Sequence, residues 1–151
     1  VQVLGVGDLL TNMARCCHPL PGDSIIGFIT RSSGVTVHRS DCSNLRHEDE
    51  KERLVRVEWS ETKQLYPVRV DIESVDRVGL LRDISTLVSE EGVNITSAGT
   101  TEHDNGTVTV SLTLHTTGTE QLSRLFTRLE GVRGVTSVAR SRSEITSAAK
   151  G

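Results

Sequence analysis

Aromatic side chains are nearly missing: two Phe, one Tyr and one Trp serve 151 residues. Any hydrophobic core here must therefore be aliphatic and thin. Cysteine is scarce as well, at three residues, an odd number in a chain that opens with no secretion signal. That argues against a disulfide framework and points to metal or free thiols. No apolar run approaches the ~20 residues that cross a bilayer, so the chain reads as soluble and cytoplasmic, with no membrane partner. A basic excess is also lacking. Lys and Arg number 17 against 20 Asp and Glu, a net charge of -3, so overall charge gives no argument for nucleic acid. The abrupt opening Val1-Gln2-Val3-Leu4 suggests a fragment of something longer.

The three cysteines all lie in two short pieces, Arg15-Cys16-Cys17-His18-Pro19-Leu20-Pro21-Gly22-Asp23 and His38-Arg39-Ser40-Asp41-Cys42. Between them runs a hairpin-like stretch, Ile25 to Thr30, then Arg31-Ser32-Ser33-Gly34, then Val35-Thr36-Val37. A hairpin returns the chain to its start, which brings His38 and Cys42 back beside Cys16 and Cys17. Three thiols and one imidazole suit a tetrahedral, structural Zn2+ with no open position, to which no reaction belongs. Neighbouring cysteines are an uncommon ligand pair, so His18 or Asp41 stands as a replacement for one of them. The bland alternative is three buried thiols and a hydrogen-bonded histidine without metal. Zinc matters because a first domain of residues 1–60 buries only about 60% of its surface. Metal-binding free energy then becomes folding free energy.

Residues 7–13 read as a short helix leading into the cysteine pair. Pro19 and Pro21 break helix, and Gly22-Asp23 turns the chain into the hairpin. Ser40 or Asp41 can cap a short helix from Cys42. Residues 46–53 form a solvated charge run, and 54–59 alternate with Val55, Val57 and Trp59 on one face. Residues 60–64 are polar and serve as linker.

The second half is more regular. Val68, Val70 and Ile72 alternate with Arg69, Asp71 and Glu73, a strand with one buried face. Leu80, Leu81, Ile84, Leu87 and Val88 recur at helical spacing and stop at Gly92. Strands follow over Val93–Thr101 and Thr107–His115, joined by His103-Asp104-Asn105-Gly106, a tight-turn signal. Leu122, Leu125, Phe126 and Leu129 mark a second helix, and Val135–Ala139 a last strand. The order βαββαβ is the ferredoxin-like plan, four antiparallel strands with two helices on one face. The fold class is therefore α+β: a small zinc-stabilised hairpin/helix domain, then this module over 65–142, then a loose tail over 143–151. Open sheet edges invite side-by-side pairing of two copies.

Arg15-Cys16-Cys17-x-Pro19-x-Pro21-Gly22-Asp23-x-Ile25-x-Gly27-Phe28, with Gly34-Val35-x-Val37-His38-Arg39-x-Asp41-Cys42-x-Asn44, resembles the conserved-cysteine, or zinc-finger, domain of long RelA/SpoT-type (p)ppGpp synthetase/hydrolases. Residues 65–142 resemble the ACT domain, a regulatory module that follows it in that family. The cysteine segment is specific, since many positions match in order; the ACT pattern is generic. The resemblance implies the regulatory region of a stringent-response enzyme whose catalytic parts carry GTP/GDP pyrophosphokinase and (p)ppGpp 3'-pyrophosphohydrolase activity. It implies Cys16, Cys17, His38 and Cys42 as zinc ligands. It also implies contact with ribosomal RNA and deacylated tRNA during amino-acid starvation. Arg15, Arg31, Arg39 and Arg46 are the candidates, four cations against Asp23 and Asp41 between residues 15 and 46.

ACT domains commonly bind an amino acid, here a branched-chain one, near the loop after the first strand and at a dimer interface. The matching positions are Asp76, Arg77, Val78, Gly79 and Leu80, with Asn94 and Ile95 read as facing them. In the bland alternative Gly79 only makes a turn and Asp76 caps the helix. The competing overall function is an amino-acid-sensing or dimerising ACT module without RNA contact. No catalysis is expected: His103-Asp104 sits in a turn, His47-Glu48-Asp49 opens a charge run, and no phosphate-cradling loop is evident.

Overall fold

The computed structural model describes residues 2–3, 11–30, 34–43, 54–60 and 64–141. The chain divides into two compact units between Gln64 and Leu65, the second running Leu65–Ser141. Among the described residues no helix is long and apolar enough to cross a membrane.

The first unit holds β1 (Gln2–Val3), β2 (Thr11–Met13), β3 (Ile25–Thr30), β4 (Gly34–Arg39), β5 (Leu54–Val55) and β6 (Val57–Glu58). Its main sheet has the order β2-β4-β3-β5, while β1 pairs with β6. Period-2 alternation sets the faces: Val35, Val37 and Val57 are buried, with Met13, Ile25, Ile29 and Val55 packed around them. Gly27 lies opposite Val37, where this small core leaves no room for a side chain. A Cβ there would meet Val35 Cγ1 at 2.6 Å and Val55 Cγ2 at 2.9 Å.

Two local expectations need correction. Residues 11–13 are not helical; they form β2, parallel to β4, with Thr11 beside Val35 and Met13 beside Val37. The reason is tertiary: β4 offers an open edge, and pairing there lays Met13 on the valine cluster. Residues 54–59 are not one strand. The run breaks at Arg56, so that β5 pairs with β3 and β6 with β1. Residues 7–10, Arg31, Arg46, most of the helix expected from Cys42, and the 143–151 tail lie outside the described residues.

The second unit runs β7 (Tyr66–Val75), α1 (Leu80–Glu90), β8 (Asn94–Glu102), β9 (Thr107–Thr116), α2 (Thr119–Glu130) and β10 (Val135–Arg140). The sheet order is β10-β7-β9-β8, antiparallel throughout. This is the ferredoxin-like topology. Val68, Val70, Ile72, Val110, Leu112 and Leu114 are buried against Ile84, Val88, Leu125 and Leu129 of the helices. The other face is polar but not idle: Thr109 donates to Glu73 at 2.7 Å and Ser111 to Asp71 at 2.9 Å. Helix α1 ends as Gly92 takes a φ of 72° and Val93 N–H returns to Val88 O at 3.2 Å, a left-handed stop suited to glycine.

Candidate metal centre

The cluster is built by the hairpin. Strands β3 and β4 pair from Ile25–Arg39 to Thr30–Gly34, and Ser40 N–H closes the open end on Ser24 O at 2.8 Å. The chain therefore leaves the hairpin where it entered. On the entering side, Asp23 Oδ2 accepts Leu20 N–H at 2.7 Å and His18 N–H bonds Ala14 O at 3.1 Å. That turn, with His18 at a φ of 43°, swings Cys16 and Cys17 toward His38.

One ligand atom each from Cys16, Cys17, His38 and Cys42 falls within 4.8 Å of all the others. Cys16 Sγ stands 3.6 Å from His38 Nδ1 and 3.6 Å from Cys42 Sγ, and Cys17 Sγ stands 3.8 Å from His38 Nδ1. A tetrahedral site with metal–sulfur bonds of about 2.3 Å has ligand–ligand edges of about 3.8 Å. The four donors thus lie close enough to hold a metal ion, and thiolate with imidazole is the donor set of tetrahedral structural sites. His18 and Asp41 are not in this group; Asp41 instead pairs with Arg39 at 3.0 Å.

Electrostatics sharpen the point. Burial pushes the Cys17 thiol far up, although Arg39 N–H, 3.3 Å from its sulfur, pulls the other way. Cys16 and Cys42 push it up further, and burial lowers His38. Without a cation the pocket favours neutral groups; a divalent ion reverses that by supplying the missing charge. Of the candidate phosphate contacts, Arg15 is exposed and Arg39 half-buried.

The effector candidates separate. Asp76, Arg77, Gly79 and Leu80 line a groove of about 350 Å³ with Leu81, Arg82, Thr100, Glu102, Val108 and Val110. Val78 projects into solvent, 97% exposed. Asn94 and Ile95 do not face this loop within the chain. They pair with His115 and Leu114, whereas the loop follows Val75, which pairs with Thr107 at the other end of β9. Strand β8 runs antiparallel to β9, so its end at Glu102, not its start, reaches the groove. Asp76 does not cap α1 either: the N-cap is Gly79, left-handed at φ 83° with no side-chain cap bond. Arg77 fixes the loop instead, donating to Arg133 O at 2.9 Å, Val78 O at 3.1 Å and Asp83 Oδ2 at 2.8 Å. Arg82, Glu102 and Arg133 carried no local sequence signal, because only the tertiary fold brings them to this loop.

A model of the RelA/SpoT RIS domain matches residues 1–60, and a model of the ACT domain matches residues 62–140. A GTP pyrophosphokinase of Streptomyces coelicolor is 41% identical over 142 residues, covering 93% of this chain and 17% of the relative. The bifunctional (p)ppGpp synthase/hydrolase RelA of Mycobacterium tuberculosis is 36% identical over 151 residues, 99% of this chain and 20% of the relative. For a GTP pyrophosphokinase of Escherichia coli K12 the identity is 38% over 139 residues, 89% and 19% of the two chains. The chain thus spans about a fifth of the length of these relatives. A crystal structure of the ACT domain from the GTP pyrophosphokinase of Chlorobium tepidum superposes with a TM-score of 0.46 at 26% identity, over 51% of this chain and 99% of that one.

Proposed function

The chain belongs to the RelA/SpoT family, as a RIS domain followed by an ACT domain, and on that premise we propose that its first unit is a zinc-stiffened element that docks on RNA. Both matched domains are regulatory ones, so the chain serves a stringent-response protein in a regulatory capacity. The (p)ppGpp synthesis and hydrolysis named in its relatives fall to other parts of the whole protein. The observation that carries the reading is the Cys16, Cys17, His38 and Cys42 cluster.

Those four residues would hold Zn2+, which when bound supplies a cross-link between the two ends of the hairpin rather than a reaction. The chain's own groups do the rest. The β3–β4 pairing presents His38, and the Arg39 N–H steadies the Cys17 sulfur. Arg15 and Arg39 stand next to ligands in sequence, so a rigid centre also fixes where their guanidiniums point. Guanidiniums so fixed meet phosphates of ribosomal RNA and deacylated tRNA; Arg31 and Arg46, outside the described residues, stay candidates from the sequence alone. Occupancy of that RNA shifts the whole protein between bound and free forms and so reaches its catalytic part.

Co-sedimentation with ribosomes tests this, using the zinc-loaded chain and a double Arg15→Glu, Arg39→Glu variant that still carries one metal. Weakening of about tenfold or more, steepening at low salt, is expected. Unchanged affinity overturns the patch.

The second unit suits a different ligand. Val108, Val110, Leu80 and Leu81 give the loop groove apolar walls, while Asp76 and Glu102 offer carboxylates to an ammonium. The first-turn N–H groups of α1 suit a carboxylate. Those are the parts of an aliphatic amino acid, so a branched-chain one is the proposed effector. Strand β8, an edge of the sheet exposed over most of its length, is the proposed seam for a second copy; light scattering with and without valine tests it.

A further inference from the structure

Helix α1 and the turn between α2 and β10 enclose a second groove, of about 430 Å³, lined by Arg77, Arg82, Asp83, Thr86, Glu90 and Arg133 among others. Its chemistry is unusual for this unit. Residues 65–141 carry seven arginines, no lysine and ten carboxylates. Three of those seven arginines nevertheless line one groove. The carboxylates there are already engaged: Asp83 Oδ2 takes Arg77 and Oδ1 takes Arg82, while Glu90 takes Arg128.

Donors, by contrast, are in surplus. A guanidinium has five N–H groups, and three of those on Arg77 reach acceptors. Arg82 spends two contacts on a single oxygen of Asp83. Arg133 has no carboxylate partner among the described residues. Arg77 is also held in place, its side chain only 16% exposed, so one guanidinium is pre-positioned rather than recruited. Leu87 and Val132 add an apolar part to the lining.

We propose that this groove binds a small ligand bearing a phosphate or pyrophosphate group, whose oxygens take the spare N–H groups of Arg77, Arg82 and Arg133. Forked guanidiniums fit phosphate oxygens in bidentate fashion, and the volume falls in the range of small-molecule sites. The acidic balance of the surrounding unit argues for a discrete ligand over an RNA strand, which needs a continuing basic track. This groove shares Arg77 and Arg82 with the effector groove but none of that groove's other lining residues.

The test is a titration of the whole chain with inorganic pyrophosphate at constant ionic strength, followed by amide NMR and calorimetry. A saturable one-to-one response centred on Arg82, Thr86 and Arg133 is expected. Arg133→Glu weakens it about tenfold or more, Arg82→Gln weakens it less, and Arg124→Glu on the exposed side of α2 leaves it unchanged. Unaltered β7 and β9 amides certify that each variant is folded. Non-saturating shifts, equal loss in Arg124→Glu, or equal displacement by sulfate and acetate would overturn the site as diffuse ion attraction. A short RNA strand binding through the same arginines, with no response to pyrophosphate, would overturn the small-ligand assignment.

Discussion

The sulfurs of Cys16 and Cys42 lie 3.6 Å apart across 26 residues of chain. No local preference can bring them together; the hairpin register does. Ile25 pairs with Arg39 and Ile26 with His38, so a one-residue slip would send the imidazole to the opposite face of the sheet. The register in turn rests on the apolar face, where Gly27 and Val37 meet across the strands. Metal geometry and core packing therefore depend on the same alignment, and each can be tested through the other.

Metal removal is the most direct measurement. Structural zinc contributes on the order of 10–16 kcal/mol in small zinc-finger peptides, more than a domain of this size stores in its core. Chelation, or Cys42→Ser, is expected to abolish the dispersed amide signals of β2, β3 and β4 while those from 65–141 persist. Metal uptake should also release protons into a weakly buffered solution, because thiolates rather than thiols are the ligands. A first unit that keeps its dispersion after the metal is stripped would show that packing alone holds it.

Gly27 offers the reciprocal test. An added methyl would press on Val35 Cγ1 at 2.6 Å and on Val55 Cγ2 and Val57 Cγ1 at 2.9 Å each, and buried valines have few rotamers into which to retreat. Gly27→Ala is expected to cost about 1–3 kcal/mol by overpacking and to weaken metal binding in parallel. Denaturant melts of the two units, resolved by NMR, check this. A stabilised first unit would mean the strands separate more freely than their packing implies.

The second unit was the more legible in sequence, for a physical reason. Val68, Val70 and Ile72, and Leu80, Ile84 and Val88, each lie on one element whose period shows directly in the residues, and the Asn105-Gly106 turn announces its own geometry. Thr11–Met13 misled because three residues show no period, and the open edge of β4 decided their state. The cysteine cluster was legible because a hairpin is the simplest way for a chain to return. The facing of the effector loop was not: Asn94 and Ile95 are near it in sequence order, but antiparallel pairing puts the far end of β8 there. Arg77 was expected to face a ligand, yet most of its hydrogen bonding is spent inside the protein.

That role of Arg77 predicts a pH signature. Its guanidinium, hydrogen-bonded to Asp83, holds the Asp83 carboxyl below the ordinary carboxylate range, with Arg82 adding to the effect. A carboxyl depressed in the folded state stabilises the fold above its unfolded value of about 3.9, and that contribution fades as pH falls through the folded value. Arg77→Met should therefore raise the Asp83 titration, read from its side-chain carboxyl carbon, and flatten the acid limb of the stability curve. It should also loosen the turn at Arg133, which loses the donor to its carbonyl. An Asp83 titration unmoved by Arg77→Met would assign the depression to Arg82 instead.

Gly79 and Gly106 can separate ligand binding from fold. Both are left-handed, at φ 83° and 81°, so alanine at either is strained by roughly 1–2 kcal/mol. A methyl at Gly106 would meet nothing within 4 Å, whereas one at Gly79 would meet Arg82 Nη2 at 3.3 Å and Arg77 Nη1 at 3.6 Å. The Arg82 side chain is 80% exposed and can swing away, so the two substitutions should destabilise the second unit about equally. Of the two, only Gly79 lines the effector groove, and its added methyl would stand against that groove's Arg77 and Arg82. Valine titrated calorimetrically should then bind the natural chain and Gly106→Ala alike and fail to bind Gly79→Ala. Equal binding by all three would remove the groove as the effector site, because a change in its lining would then leave binding untouched.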